Sequence, residues 1–458
     1  MKTNVEKRVQ DMTTGSVTGH LLRFSLPLLV GNMFQQLYNM VDTIVVGHFV
    51  GANALAAVGL VGSVTYLFFS LCVGLSGGIG VLVSQFFGAG KEDSLKETVA
   101  NSIYITLAAG AFMSILSIIL AEPILRLMNT PEENMKDALV YLVIVCGSTI
   151  VVAGYNTISS IMRALGDSKT PLIFLVISSL LNIGLDLLFV LGFSMGVAGV
   201  AWATVISQSV AAIGSIVYGY RTNPYLRLEK NDFNFNKTIV KKSMQIGIPL
   251  ACQNAMSAVS AVASQTVING FGSVVIAGDA VVKKVVAIMQ QPFGVLGIAC
   301  SNFSGQNAGA GKYDRVYESC KKGMLMVTIY SAVMAVVNQF FSDPIARIFV
   351  TDPQVVEIGS LGLKITVWMF IALGALYVMR ASLNGVGDSA FTMINGIFEV
   401  IGSVVFVYIL TSIPAFGMKG IWYTNGVVWT MVALANLARV VSGKWKKALV
   451  VSKTDMEK

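Results

Sequence analysis

Apolar residues run along this chain in blocks too long for a soluble fold, divided by short stretches of polar residues and glycine. Residues 49–90 hold no charged side chain, and further uncharged blocks cover 99–121, 138–162, 187–220 and 243–278. A helix needs roughly 20 apolar residues to cross a bilayer, so each block is long enough to span. Backbone groups in hydrocarbon must be paired within a helix or a closed barrel. These blocks lack the period of two that barrel strands show. The pattern predicts an all-α polytopic membrane protein of 12 transmembrane helices. Their approximate positions are 22–47, 55–86, 98–121, 138–162, 171–192, 196–220, 243–268, 275–305, 323–342, 358–381, 389–411 and 417–439.

Composition agrees: 55% of the 458 residues are hydrophobic and 12% charged, outside the balance of a soluble globular protein. The first twenty residues are polar and charged, and the apolar run from Leu21 is too long for a leader core, so no cleavable signal is expected. The formal net charge of +8 invites a nucleic-acid reading. With the N-terminus inside, however, roughly 25 of the 32 Lys and Arg fall on cytoplasmic ends, among them Lys91, Lys96, Lys169, Lys312, Arg315 and Lys444. The opposite loops are short or acidic, as at Glu122, Glu132, Asp343 and Asp352. The basic excess is therefore a topology signal, and no nucleic-acid partner is expected. It places a multi-pass protein in the inner membrane with both termini cytoplasmic. Cys72, Cys146, Cys252, Cys300 and Cys320 have neither zinc-site nor disulfide spacing and read as packing residues. His20 and His48 lack companions for a metal or catalytic site.

The second half repeats the first at an offset of 221 residues. Gly88-Ala89-Gly90-Lys91 falls on Gly309-Ala310-Gly311-Lys312, Pro123 on Pro344, and Gly166-Asp167-Ser168 on Gly387-Asp388-Ser389. Only Pro27 and Pro249 need one residue of slip. The expected organisation is a cytoplasmic segment 1–20, a first lobe 21–220, a basic linker 221–242, a second lobe 243–441 and a cytoplasmic tail 442–458. Six helices per repeat put both lobes in the same orientation, related by a pseudo-twofold axis along the membrane normal. Two such lobes suit alternating access, and a monomer is the expected working unit.

Ionisable residues inside a membrane need a reason and a partner. Asp42, Asp186, Asp279, Lys283, Lys284 and Glu399 stand out. Asp42 and Asp186 lie about five and six residues from the outer ends of helices 1 and 5, at similar depth for a rise of about 1.5 Å per residue. Asn182, one turn below Asp186, and Thr204 on helix 6 reach the same level. Two carboxyls, a carboxamide and a hydroxyl suit a hard cation, and the mutual repulsion of two carboxylates is relieved equally well by a proton. Asp42, Asn182, Asp186 and Thr204 are therefore a candidate Na⁺ or H⁺ site, the alternative being that the acids only bridge helices. A polar stripe on helix 1, Asn32, Gln35, Gln36, Asn39 and Asp42 with Tyr38 beside it, should face the lobe interior. Pro27 could bend that helix.

The second lobe is different. Its matching helix carries Asn254, Ser257, Ser260 and Ser264, and Val407 replaces Asp186, which confines coupling to the first lobe. Glu399, near the midplane with Asn395 and Ser403 one turn away on either side, reads as a cationic-substrate anchor, a second proton site or a structural hydrogen-bonding group. Asp279 and Lys283 are spaced to pair as i and i+4, and Lys284 could snorkel outward.

Together these features resemble the multidrug and toxic compound extrusion (MATE) family over roughly residues 15–445. Pro27 through Tyr38 to Asp42 is similar to that family's first helix. Asn156 with Arg163-Ala164-Leu165-Gly166-Asp167 is similar to its fourth helix and following loop. Asn182, Asp186 and Thr204 resemble its first-lobe cation site. The second lobe lacks acids in helices 7 and 10, which looks more like the DinF-type branch than the NorM branch. The resemblance implies export of small lipophilic organic cations against H⁺, Na⁺ or both, with no cofactor beyond the coupling ion. The chief rival is a flippase for lipid or lipid-linked oligosaccharide, which would line its cavity with several Arg and Lys to hold phosphate. An enzyme would need a catalytic constellation that the chain does not offer.

Overall fold

The computed structural model describes residues 9–450, the side chains of residues 257–263 excepted. The outer ends of the two terminal segments, and the side chains of Ser257 and Ser260, lie outside the described residues. Fifteen α-helices follow one another: α1 (Val17–Val45), α2 (Ala52–Gly88), α3 (Glu92–Leu127), α4 (Glu132–Gly147), α5 (Thr149–Ala164), α6 (Lys169–Leu187), α7 (Gly196–Thr222), α8 (Lys237–Asn269), α9 (Ser273–Met289), α10 (Gln291–Gly309), α11 (Tyr313–Arg347), α12 (Pro353–Trp368), α13 (Phe370–Gly385), α14 (Ser389–Ser412) and α15 (Gly420–Val441). Among the described residues there is no strand.

Seven helices, each with its flanking turns, are long and apolar enough to cross a membrane. Two bent pairs, α4 with α5 at 43° and α12 with α13 at 51°, bring the number to nine. Polar side chains dilute the other three spans: the stripe of α1, Gln253 and Asn254 on α8, and Asp279, Lys283 and Lys284 on the α9–α10 succession. The chain is thus a multi-pass membrane protein of twelve spans in two six-helix lobes. The breaks have local causes in two cases. Gly147-Ser148 interrupts α4 and α5 at residues with weak helix preference. Pro292 opens α10 just after Gln290, where a missing backbone N–H does no harm. The break at Met369 has no such local signal, but it sits at the repeat position of Ser148.

The internal repeat holds to the residue in places. Shifting α2 by the repeat offset covers Ser273–Met289 and Gln291–Gly309, and α4 and α5 fall on α12 and α13 end to end. Gly90 and Gly311 both have φ +69° and close the same C-terminal motif. In each, the residue after the glycine bonds back to the last turn, Lys91 N to Phe86 O at 3.0 Å and Lys312 N to Asn307 O at 2.8 Å. A side chain would be strained at that left-handed position, which is why glycine recurs there.

The chain divides into two compact units, one of residues 1–11 and 26–252, the other of residues 12–25 and 253–458. In the first, α2 packs against α3, α4 and α5, and α7 against α4, α5 and α6. In the second, α10 packs on α13, α9 on α12, and α15 on α13 and α14. The segment before α1 is strapped into the second unit: Lys312 Nζ reaches Thr13 O at 2.9 Å, and the Arg315 guanidinium reaches the carbonyls of Met12 and Gly15 at 3.0 Å each. These two basic residues therefore anchor backbone. The crossing of α10 and α13 is close enough that a Cβ at Gly385 would lie 2.1 Å from Ser301 O. Gly385→Ala must push two helices apart and is expected to destabilise the protein by about 1–3 kcal/mol, read as a lower thermal midpoint in detergent.

Candidate cation site in the first lobe

Asp42 stands three residues before the end of α1, and Asp186 is the penultimate residue of α6. Both helices then loosen into a single π-helical turn, Val46–Val50 and Leu188–Gly192. Such turns free backbone groups from the regular ladder and are frequent at functional sites. The two carboxyls lie near enough to interact directly with each other. Asp186 is fully buried, as is Asn182 one helical turn before it.

The polar atoms here are under-satisfied. No donor or acceptor among the described residues is bonded to Asp42 Oδ1, to either oxygen of Asp186, or to either end of the Asn182 carboxamide. A buried polar group without a partner costs about 1–3 kcal/mol, and five such atoms lie on these three residues. Two carboxyls and a carboxamide oxygen are of the kind that ligate hard cations. With both carboxyls ionised the pair is doubly negative, and a proton or another cation relieves the repulsion. No cluster of three or more His, Cys, Asp or Glu side chains occurs among the described residues. A cation held here would draw its remaining ligands from neutral oxygens.

The surroundings are apolar outside and aromatic alongside. Val45, Val46, Ala54, Val190, Val197 and Val200 form one buried cluster from residues just beyond the two acids. Tyr38, one turn before Asp42, bonds to Gln35 and lies within electrostatic range of both acids, as does Tyr141 from α4. Tyr141 gives no sequence signal, because it is one more aromatic inside an apolar block.

Other expected members are placed differently. The Thr204 hydroxyl donates to Val200 O of its own helix at 3.1 Å and has no hydrogen bond to either acid. Asn156 likewise donates to Val152 O at 2.8 Å. The helix 1 stripe splits in two. Asn32, Gln35, Tyr38 and Asp42 are half-buried, whereas Gln36 and Asn39 are exposed. At about 100° per residue Gln36 is turned some 120° from Asp42, so one face cannot hold them all. Pro27 lies within an uninterrupted α1, and the irregularity of that helix is the π turn at its outer end.

In the second lobe, Lys283 and Asp279 pair as their spacing indicates, at 2.8 Å. Lys283 also donates to Gln265 Oε1 at 2.7 Å, and Trp422 Nε1 donates to Asp279 Oδ1 at 3.1 Å. Lys284 is exposed, and Asn254 is half-buried beside Gln253, whose carboxamide donates to Thr392 O at 2.9 Å. Glu399 is not a lone acid: Arg380 of α13 forms an ion pair with it. Arg380 escapes a sequence reading because it lies near a helix end, where a cation looks like topology. Asn395 turns away from Glu399 and bonds to Asn436 Oδ1 of α15 at 2.8 Å.

Comparison with known proteins bears on this arrangement. The MatE family pattern matches residues 27–188 and 249–409. The probable multidrug resistance protein YoeA of Bacillus subtilis is 28% identical over 438 residues, covering 92% of this chain and 93% of that protein. The probable multidrug resistance protein YpnP of the same organism is 29% identical, covering 96% and 98%. A crystal structure described as MATE in the bent conformation superposes with a TM-score of 0.90 at 21% identity, covering 96% of this chain and 98% of that one.

Proposed function

We propose, from the premise that this chain belongs to the MatE family, that it is a secondary antiporter exporting lipophilic organic cations in exchange for H⁺ or Na⁺. The observation that carries the proposal is the Asp42 and Asp186 pair with Asn182, whose buried polar atoms are short of partners. The names of the Bacillus subtilis relatives, both probable multidrug resistance proteins, support the export of drugs.

In this reading a proton or sodium ion from outside neutralises the pair, and its loss on the cytoplasmic side restores negative charge. Substrate and ion then bind antagonistically through one two-state protein, which is the thermodynamic requirement for exchange. The termini lie on the cytoplasmic side of the inner membrane, and Thr204 joins the site when the ion is bound. Tyr38 and Gln35 support the Asp42 end, with Asn156, Asn39 and Pro27 further off. The rival flippase is less well served. A phosphate would find Lys283 already neutralised by Asp279 and Arg380 by Glu399.

The test is ethidium efflux from proteoliposomes containing the full chain, under an imposed pH gradient and, separately, a Na⁺ gradient. Efflux driven by one gradient and not by its absence is the expected result, and it names the ion. Folded protein that moves no dye under either gradient overturns the proposal.

A further inference from the structure

The ion pair of Arg380 and Glu399 is not something this helix packing needs. At the same repeat positions the first lobe has Ser159 and Ser178, both buried, and its α5 and α6 make the same limited contact as α13 and α14. The second lobe has therefore placed opposite charges where small hydroxyls suffice. Charges at membrane depth are unfavourable unless fully satisfied, and these two are not. Arg380 Nε is buried without a partner, and among the described residues only one Glu399 oxygen is engaged. The side chains remain 14% and 23% exposed, so the pair lies at an accessible surface of its unit.

The neighbours offer the guanidinium somewhere to go. Asn384, one turn further along α13, accepts the Thr392 hydroxyl at Oδ1 at 2.5 Å and donates to Gln253 Oε1 at 3.3 Å. Each of those carbonyl oxygens has a second lone pair. Arg380 thus stands between a carboxylate with a spare oxygen and a pair of amide acceptors.

We propose that Glu399 binds the cationic centre of the exported substrate and that Arg380 is a tethered cation which the substrate displaces from it. This rests on the reading of the chain as an exporter of organic cations and adds where in the second lobe the cation is held. With no substrate bound, the guanidinium neutralises Glu399. An organic cation arriving at the carboxylate takes its place, and Arg380 turns to Asn384 and Gln253. The competing residue sets a threshold: only a cation that also gains from apolar contact displaces it, which favours lipophilic cations over small inorganic ones.

Calorimetric titration of the purified full-length protein with tetraphenylphosphonium in detergent at pH 8, without any gradient, tests this. That ion is lipophilic and cannot donate hydrogen bonds. Arg380→Met is expected to lower its Kd about tenfold and Glu399→Gln to raise it at least tenfold. The double variant should match Glu399→Gln, because the arginine competes only for that carboxylate. A purely structural pair predicts that both single variants weaken binding and thermal stability together. A stable Arg380→Met protein that binds no tighter, or a Glu399→Gln protein that binds as wild type does, overturns the proposal. If Arg380→Met fails to fold, Glu399→Gln and the charge-conserving Arg380→Lys, expected near wild type, decide it. Gradient-driven efflux measured alongside separates the claims. Wild-type efflux with binding insensitive to Glu399 overturns the subsite alone, and absence of both efflux and binding overturns the transport reading as well.

Discussion

Asparagine in place of Asp42 is expected to reduce gradient-driven ethidium efflux to background, a loss on the order of a hundredfold, the upper range of a coupling between two ligands on one protein. Asparagine matches aspartate in shape and can still bond to Asp186, but it can neither release a proton nor present a negative charge to a sodium ion. Asp186→Asn should do the same. Asn182→Leu, which removes a neutral ligand, should weaken the apparent affinity for the coupling ion about tenfold and spare maximal efflux. Stability should move in the opposite sense. Asp42 Oδ1 and both Asp186 oxygens are buried and short of donors, so neutralising one acid relieves a burial penalty. The thermal midpoint of Asp42→Asn in detergent should therefore equal or exceed that of wild type. Loss of export without loss of stability is the signature of a site maintained against the interests of the fold. If the acids only bridge helices, asparagine preserves the bridge and efflux survives. That result would remove the coupling role from both residues.

The acids can be found from sequence because hydrocarbon makes charge conspicuous, and because two acids at one depth on separate helices imply a common purpose. Depth, however, is a one-dimensional coordinate. It groups Asp42, Asn182 and Asp186, which the structure also brings together, yet it admits Thr204 as well, whose donor is spent on its own helix. It cannot show which way Gln36 and Asn39 point around α1. The spans themselves are readable to within a few residues at most ends, since hydropathy reports on helix length and little else. The interruption at Met369 is not, because it leaves no proline or glycine behind, whereas those at Ser148 and Gln290 have Gly147 and Pro292 beside them. Arg380 shows the converse limit. A cation near a helix end satisfies the positive-inside rule whether or not it is paired, so its partner Glu399 looks solitary in the sequence. Tyr141 is silent for a simpler reason: an aromatic among aromatics and aliphatics has no pattern to break.

Lys283→Met is expected to harm the second lobe more than Asp279→Asn, although each breaks the same ion pair. The difference lies in exposure. The Asp279 side chain is 4% exposed and the Lys283 side chain 47%. Without the Asp279 carboxylate, the ammonium keeps Gln265 and can extend along its stem toward water, while the substituted carboxamide can still accept from the Trp422 indole. Without Lys283, a carboxylate is left in the interior with the Trp422 N–H as its remaining donor. Breaking a buried pair from the side that strands a charge costs about 3–5 kcal/mol, and the burial of Asp279 makes it the charge that is stranded. Asp279→Asn should cost roughly 1 kcal/mol, in the range of a partly exposed pair. The double variant Asp279→Asn/Lys283→Met should recover most of the loss, because no charge is then left behind. Thermal unfolding of the three variants gives the ranking directly. Efflux by the double variant settles the other role considered for Lys283: export at the wild-type rate makes the pair structural within α9, whereas a stable double variant that does not export assigns the lysine to transport.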